Sequence, residues 1–392
     1  MKRRIALAAA LVIAALVPLL ADEEAEVYRN LYREAEGLQQ KHSAIQNLVG
    51  LKDRETAPVI AEALEEMLRT QNNYTTASEK ELFARALRTV AAALGEYKYE
   101  ASAPFLWMVV EQVKDPLARA EALMALGRMR ALAYAERISL FLRDLNLKPA
   151  DDADAGEKLA YGAIIALEKL KDPRGFSPVF FAADGWYSQR VKKQAERSLP
   201  NIVADPSDIL KGLIDTEDPA RKVMALKFNA SSSAPVERKN AVAAYALALG
   251  HLKAPRDRAE AKIFSDLRKL ALRSLVAYKS KDTGIVDGAL ASYTKGFDDE
   301  ERLLGLTCLG SNGTDPAATA LRDVILQLNK EQKAGVSDEV RIRMIKAAIE
   351  NAGLTKNRIV RPALVSVASN DGNSGWSSSV ILAAQSAMKE IP

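Results

Sequence analysis

The chain has 392 residues, with 55 Lys and Arg against 51 Asp and Glu, two His and one Cys. One cysteine excludes an intramolecular disulfide, so packing alone must hold the fold. Near-balanced charge argues against a nucleic-acid partner, which needs a concentrated basic surface.

Residues 1–21 read as a secretory signal peptide. Lys2, Arg3 and Arg4 make a positive start, 5–20 is an apolar run interrupted only by Pro18, and Ala21 precedes Asp22-Glu23-Glu24. An uncleaved anchor is the alternative. The apolar run of sixteen residues falls short of the roughly twenty that span a bilayer. Loss of the leader takes the formal net charge from +4 to +1. The expected location is the periplasm or the exterior of a bacterium.

Apolar spacing then predicts helices along the rest of the chain. A charged helix over 23–40 caps the first repeat, a short one follows over 42–51, and a third over 52–69 has Pro58 in its first turn. Residues 70–78 are a polar loop, and Ser78 with Glu81 resembles a capping box for a helix ending at Gly95. Helices over 100–113, 115–127 and 134–145 precede a loop, 146–156, that holds Asp151, Asp152 and Asp154. These carboxylates only faintly echo a calcium loop, and a solvated capping loop is the expectation. Further helices cover 158–170, 176–183, 184–199, 209–214 and 220–228. The small polar segment 229–235 is a candidate hinge, dividing repeats over 22–228 from repeats and a cap over 236–392. Helices over 238–250, 258–278, 283–293, 298–309, 315–328, 338–352, 361–368 and 376–391 complete the chain, with a turn over 370–375.

A phrase recurs within this series. Asp115-Pro116-Leu117-Ala118-Arg119 opens a helix that closes on Ala125-Leu126-Gly127, and Ala-Leu-Gly returns at Gly95 and Gly250, with Cys308-Leu309-Gly310 as a fourth version. Arg119 and Arg302 each lie eight residues before such a Gly. Asp184 precedes Arg190 by six residues, as Asp215 precedes Arg221. Spacings of about thirty to forty-five residues mark a solenoid, whose stacked units share one core.

This D-P-x-x-R and A-L-G pattern resembles the HEAT repeat family. The resemblance implies an all-α fold, a right-handed α-α superhelix of HEAT or armadillo type, and a binding role without catalytic residues. It also implies a hydrogen-bonded ladder between repeats, carried onto Asp184, Arg190, Asp215, Arg221, Arg119 and Arg302. Arg85 and Arg341 have no Asp at that spacing, which predicts breaks there.

No chemistry stands out. His42 and His251 sit in no metal or triad motif, and G-x-S-x-G, H-E-x-x-H, C-x-x-C and Gly-rich phosphate loops are absent from the sequence. His251, after a helix end, is expected to face solvent. Cys308 lies in an apolar register and reads as a small core residue. The expectation is therefore no enzyme, no cofactor and no metal. Surface basic groups remain: Lys192, Lys193 and Arg197 beside Arg190, and Arg341 and Arg343 with Lys346. The first set is the candidate partner-binding stripe. The expected function is an exported scaffold for protein–protein interaction in the envelope, with an accessory or regulatory subunit of an envelope enzyme as the alternative.

Overall fold

The structure, a computed structural model, describes residues 25–148, 151–336, 338–369 and 375–392. The proposed leader, part of the 146–156 loop and most of the 370–375 turn lie outside these residues. The described residues hold twenty helices in sequence and no strand. Contacts divide the chain into two units at Val203 and Ala204.

The first unit contains helices at 25–34 (α1), Leu38–Gly50 (α2), Ala57–Thr70 (α3), Ala77–Tyr97 (α4) and Ala103–Gln112 (α5). Pro116–Arg128 (α6), Ala135–Leu147 (α7), Ala153–Leu170 (α8), Phe176–Asp184 (α9) and Gln189–Ile202 (α10) follow. From α3 onward they pair as hairpins, and α2, α4, α6, α8 and α10 also stack on one another as a row. That row is tight. A Cβ on Gly127 of α6 would lie 2.6 Å from the Cα of Ala166 in α8, so only glycine permits this approach. The A-L-G glycines are thus contact points inside helices. Gly250 likewise lies two residues before its helix ends at Leu252, and a Cβ there would meet the Arg268 side chain at 2.7 Å.

The second unit contains Ser207–Thr216 (α11), Pro219–Ser231 (α12), Val236–Leu252 (α13), Arg258–Ala277 (α14) and Val286–Lys295 (α15). Asp299–Asn312 (α16), Asp315–Lys333 (α17), Glu339–Thr355 (α18), Arg361–Ala368 (α19) and Ser378–Lys389 (α20) complete it. Consecutive helices pair, and both the even and the odd rows stack. The pairing of α13 with α14 is regular, through a loop at 253–257.

Capping explains where the even-numbered helices begin. Asp115, Asp152, Asp218, Asp257, Asp298 and Asp338 each accept a hydrogen bond from a backbone N–H of the first turn, which satisfies an otherwise orphaned donor. At α4 the capping box is Thr76 with Glu79, two residues before the expected Ser78 and Glu81. Glu79 accepts from the backbone N–H groups of both Thr75 and Thr76. The turns out of six helices use a basic residue in the left-handed region, at Lys52, Lys98, Arg130, Lys171, Lys279 and Lys356.

Three further expectations change. The first charged helix breaks at residues 35–37, before α2. The segment 229–235 lies inside the second unit and is tied down there: Asn229 Nδ2 donates to Lys239 O at 3.0 Å and Ser232 Oγ to Asn229 O at 2.9 Å. His251 is half-buried, because α13 continues past Gly250.

Candidate binding surface

In the first unit, each even-numbered helix buries its small residues against its row neighbours and its hairpin partner. One stripe per helix is left outward. Residues at spacings of three, four and seven make these stripes: Leu117, Glu121, Met124 and Arg128 on α6, and Lys158, Tyr161 and Ile165 on α8. Leu117 is exposed, while Met124, Tyr161 and Ile165 are half-buried. The centre of the face is therefore weakly apolar and ringed by charge.

Most of that charge is neutralised locally. Arg85 pairs with Glu81 at 2.9 Å, Arg128 with Glu121, and Lys158 with Asp154. α10 differs. Arg190, Lys193 and Arg197 are exposed on one side of it, Arg190 lies over the Tyr161 ring at 5.0 Å, and Lys192 is half-buried. Among the described residues, Lys192, Lys193 and Arg197 form no ion pair. In the other basic group expected from sequence the two arginines are paired: Arg341 meets Glu331 at 3.1 Å and also Asp338, and Arg343 meets Asp299 at 2.6 Å.

The proposed ladder residues take varied roles. Asp184 ends α9. Asp215 accepts from Tyr245 Oη at 2.9 Å, which joins α11 to α13. Arg221 pairs with Glu217 at 3.2 Å and Asp218 at 3.6 Å. Arg119 Nε donates to Val110 O at 2.7 Å, in the last turn of α5, and its guanidinium lies 5.8 Å from the Phe141 ring. Arg302 packs beside Gly296.

Sequence reasoning missed Lys222. It is 1 % exposed, and its Nζ donates to the carbonyls of Ile214 and of Asp215, the latter at 2.8 Å, in the last turn of α11. Burial lowers its pKa below the ordinary lysine value, but the carbonyls of the helix end favour the ammonium. Lys222 does for α11 what Arg119 does for α5. The signal was present as a spacing: each lies four residues after a capping Asp, Asp115 for Arg119 and Asp218 for Lys222, and Arg302 stands at the same distance from Asp298.

The second unit has a charged interior. The Arg268 guanidinium grips the fully buried Glu301 carboxylate through Nε at 2.5 Å and Nη2 at 3.0 Å, and gives Nη1 to Gly250 O at 2.8 Å. Ser265 Oγ and Phe297 N donate to the same carboxylate at 2.7 and 2.9 Å. His251 Nε2 lies 2.9 Å from Ser292 Oγ. This Ser–His contact gives no substrate access to the hydroxyl, since Ser292 is 0 % exposed. Burial, with the Arg268 charge, pushes the His251 pKa down to about 4. Cys308 is buried, and burial pushes its thiol up to about 12. Among the described residues no group of three His, Cys, Asp or Glu side chains is placed to hold a metal. Nor is any helix there long and apolar enough to cross a membrane.

Two tryptophans that open helices are structural. Trp186 Nε1 donates to Leu145 O at 2.9 Å, and Trp376 Nε1 to Asn329 Oδ1 at 2.9 Å. A recess of about 530 Å³ lies in the first unit between the α3–α4 and α5–α6 turns, with Lys80 and Lys114 on its walls.

No protein-family model and no curated protein matches the sequence. Among solved structures, a circular tandem repeat protein with novel repeat topology and enhanced subunit contact surfaces matches at 14% identity, over 96% of this chain and 95% of that chain, with a TM-score of 0.25. A likeness of that size carries no argument about this chain.

Proposed function

We propose that this is an exported, non-catalytic HEAT-repeat scaffold that holds a protein partner in a bacterial envelope, using the stacked even-numbered helices of the first unit as its contact face. The basic stripe of α10 carries this reading. Arg190, Lys193 and Arg197 point outward beside a half-buried Tyr161, whereas Arg85, Arg128 and Lys158 on the other even-numbered helices of the unit are paired. Unpaired cations beside aromatic and aliphatic side chains suit an acidic protein segment, because such a face supplies both steering and buried area. The repeat pattern supports the family, and the basic and apolar start of the sequence supports export. A solenoid needs no local chemistry to bind, only length of surface.

The test is a pull-down from cells with tagged full chain, comparing the native sequence with Lys193→Glu/Arg197→Glu. Both side chains are exposed, so the fold should survive. One dominant protein recovered with the native chain, and reduced about tenfold or more by the charge reversal, is the expected result. Equal recovery with both chains would remove α10 from the contact face. Turnover of a substrate by the purified chain, abolished by one Asp or Glu substitution, would replace the scaffold with an enzyme.

A further inference from the structure

The recess between the α3–α4 and α5–α6 turns has a feature that the repeat pattern makes visible. The fourth residue after a helix cap is basic in several even-numbered helices. In α6 and α12 it reaches back to the last-turn carbonyls of the preceding helix, as Arg119 to Val110 O and Lys222 to Ile214 O and Asp215 O. In α4 this residue is Lys80, four after the cap Thr76. The end of α3 is already served by other side chains: Gln71 Nε2 donates to Leu68 O at 3.2 Å and Thr70 Oγ1 to Glu66 O at 3.0 Å. Lys80 is thereby released from the structural task of its counterparts. It lines the recess instead, as does Lys114 from the next turn. Among the described residues neither ammonium has an ion-pair partner.

The remaining walls are of two kinds. Tyr74 and Phe83 form a tilted ring pair with centroids 5.1 Å apart, and the amide side chains of Asn72 and Gln112 lie alongside. Asp115 also lines the recess. One of its oxygens accepts from Ala118 N at 2.7 Å, and its charge leaves the pocket with a surplus of one positive charge. The volume of about 530 Å³ is in the range of small-ligand sites. Two free ammoniums fix an anionic group, amides pair with hydroxyls, and an aromatic wall takes an apolar ring face.

We propose that this recess binds an acidic saccharide through its carboxylate, with Lys80 and Lys114 holding the carboxylate, Asn72 and Gln112 the hydroxyls, and Tyr74, backed by the buried Phe83, the ring. The site lies apart from the α10 stripe and does not depend on the scaffold reading.

The test is an NMR titration of the full chain with D-glucuronate, D-glucose and acetate as probes. D-glucuronate should bind with a dissociation constant on the order of a millimolar, and about tenfold more tightly than D-glucose or acetate, because only it engages both the ammoniums and the hydroxyl-binding amides. Lys80→Ala and Lys114→Ala should each weaken it about fivefold or more. Both lysines are exposed, so helical circular dichroism should be unchanged and an unfolded variant will be recognised. No binding of D-glucuronate overturns the proposal. So does equal binding of acetate, which would show a bare anion contact, and so does binding unaffected in a folded Lys80→Ala/Lys114→Ala chain, which would place the sugar elsewhere.

Discussion

Glu301 and Arg268 show what a buried charge demands of its neighbours. Taking a carboxylate out of water is costly, and here three donors besides Arg268 Nε repay it: Arg268 Nη2, Ser265 Oγ and Phe297 N. Glu301→Gln leaves Arg268 buried without its counter-charge and should cost about 3–5 kcal/mol, read as a fall in the urea midpoint of the second unit. Arg268→Met with Glu301→Leu should recover most of that loss, since apolar replacement of a whole buried pair is often neutral. His251 lies beside this cluster and is held neutral. Its pKa falls from 6.5 to about 4 on folding. Between those values the unfolded chain binds the extra proton, so stability drops as pH falls from 6.5 to about 4, and this contribution stops changing below that. With partial exposure discounted, the loss is on the order of 2 kcal/mol. Urea titrations across this pH range should show it as a difference between the native chain and His251→Gln. A parallel pH dependence in both would refute it.

At the scale of helices, small residues set how closely neighbours approach. Gly127→Ala puts a Cβ against the Ala166 backbone, which cannot rotate away, and should cost about 1–3 kcal/mol despite the better helix propensity of alanine. Gly212→Ala in α11 meets nothing within 4 Å and should instead add about 0.5–1 kcal/mol. Thermal midpoints of the two variants should move in opposite directions. Apolar periodicity made the existence and order of the helices legible. Their ends were less so, because short 3₁₀ turns such as Arg54–Thr56 and Pro173–Gly175 precede α3 and α9 and carry the same spacing. Two overlapping S/T-x-x-E patterns hid the cap of α4. A glycine that marks helix contact reads in sequence like one that stops a helix, and that placed His251 in solvent. The four-residue spacing from cap to cation is present in the sequence at Asp218 and Lys222, but the six-residue spacing of Asp215 and Arg221 competes with it and points to the neighbouring side chain.

At the scale of the molecule, the all-α array of stacked hairpins follows from the repeated phrase, whereas no residue in the sequence marks Val203 and Ala204 as the boundary between units. The recess was equally illegible. Its lysines matter only once the carbonyls beside them are known to be satisfied. The α10 stripe could be picked out by composition, but its being unpaired depends on where the acidic side chains of neighbouring helices point. A scaffold contacting its partner through the even-numbered row should touch it at row positions and nowhere on the odd-numbered helices. Site-specific photo-crosslinking in cells measures this directly, with a photoreactive residue at Met124, Tyr161 or Lys193 on the even row and at Leu140, which is exposed on α7. The same protein should be captured from the three even-row positions and from none at Leu140. Capture at Leu140 alone, or at none of the even-row positions, would contradict a partner-binding even-numbered row.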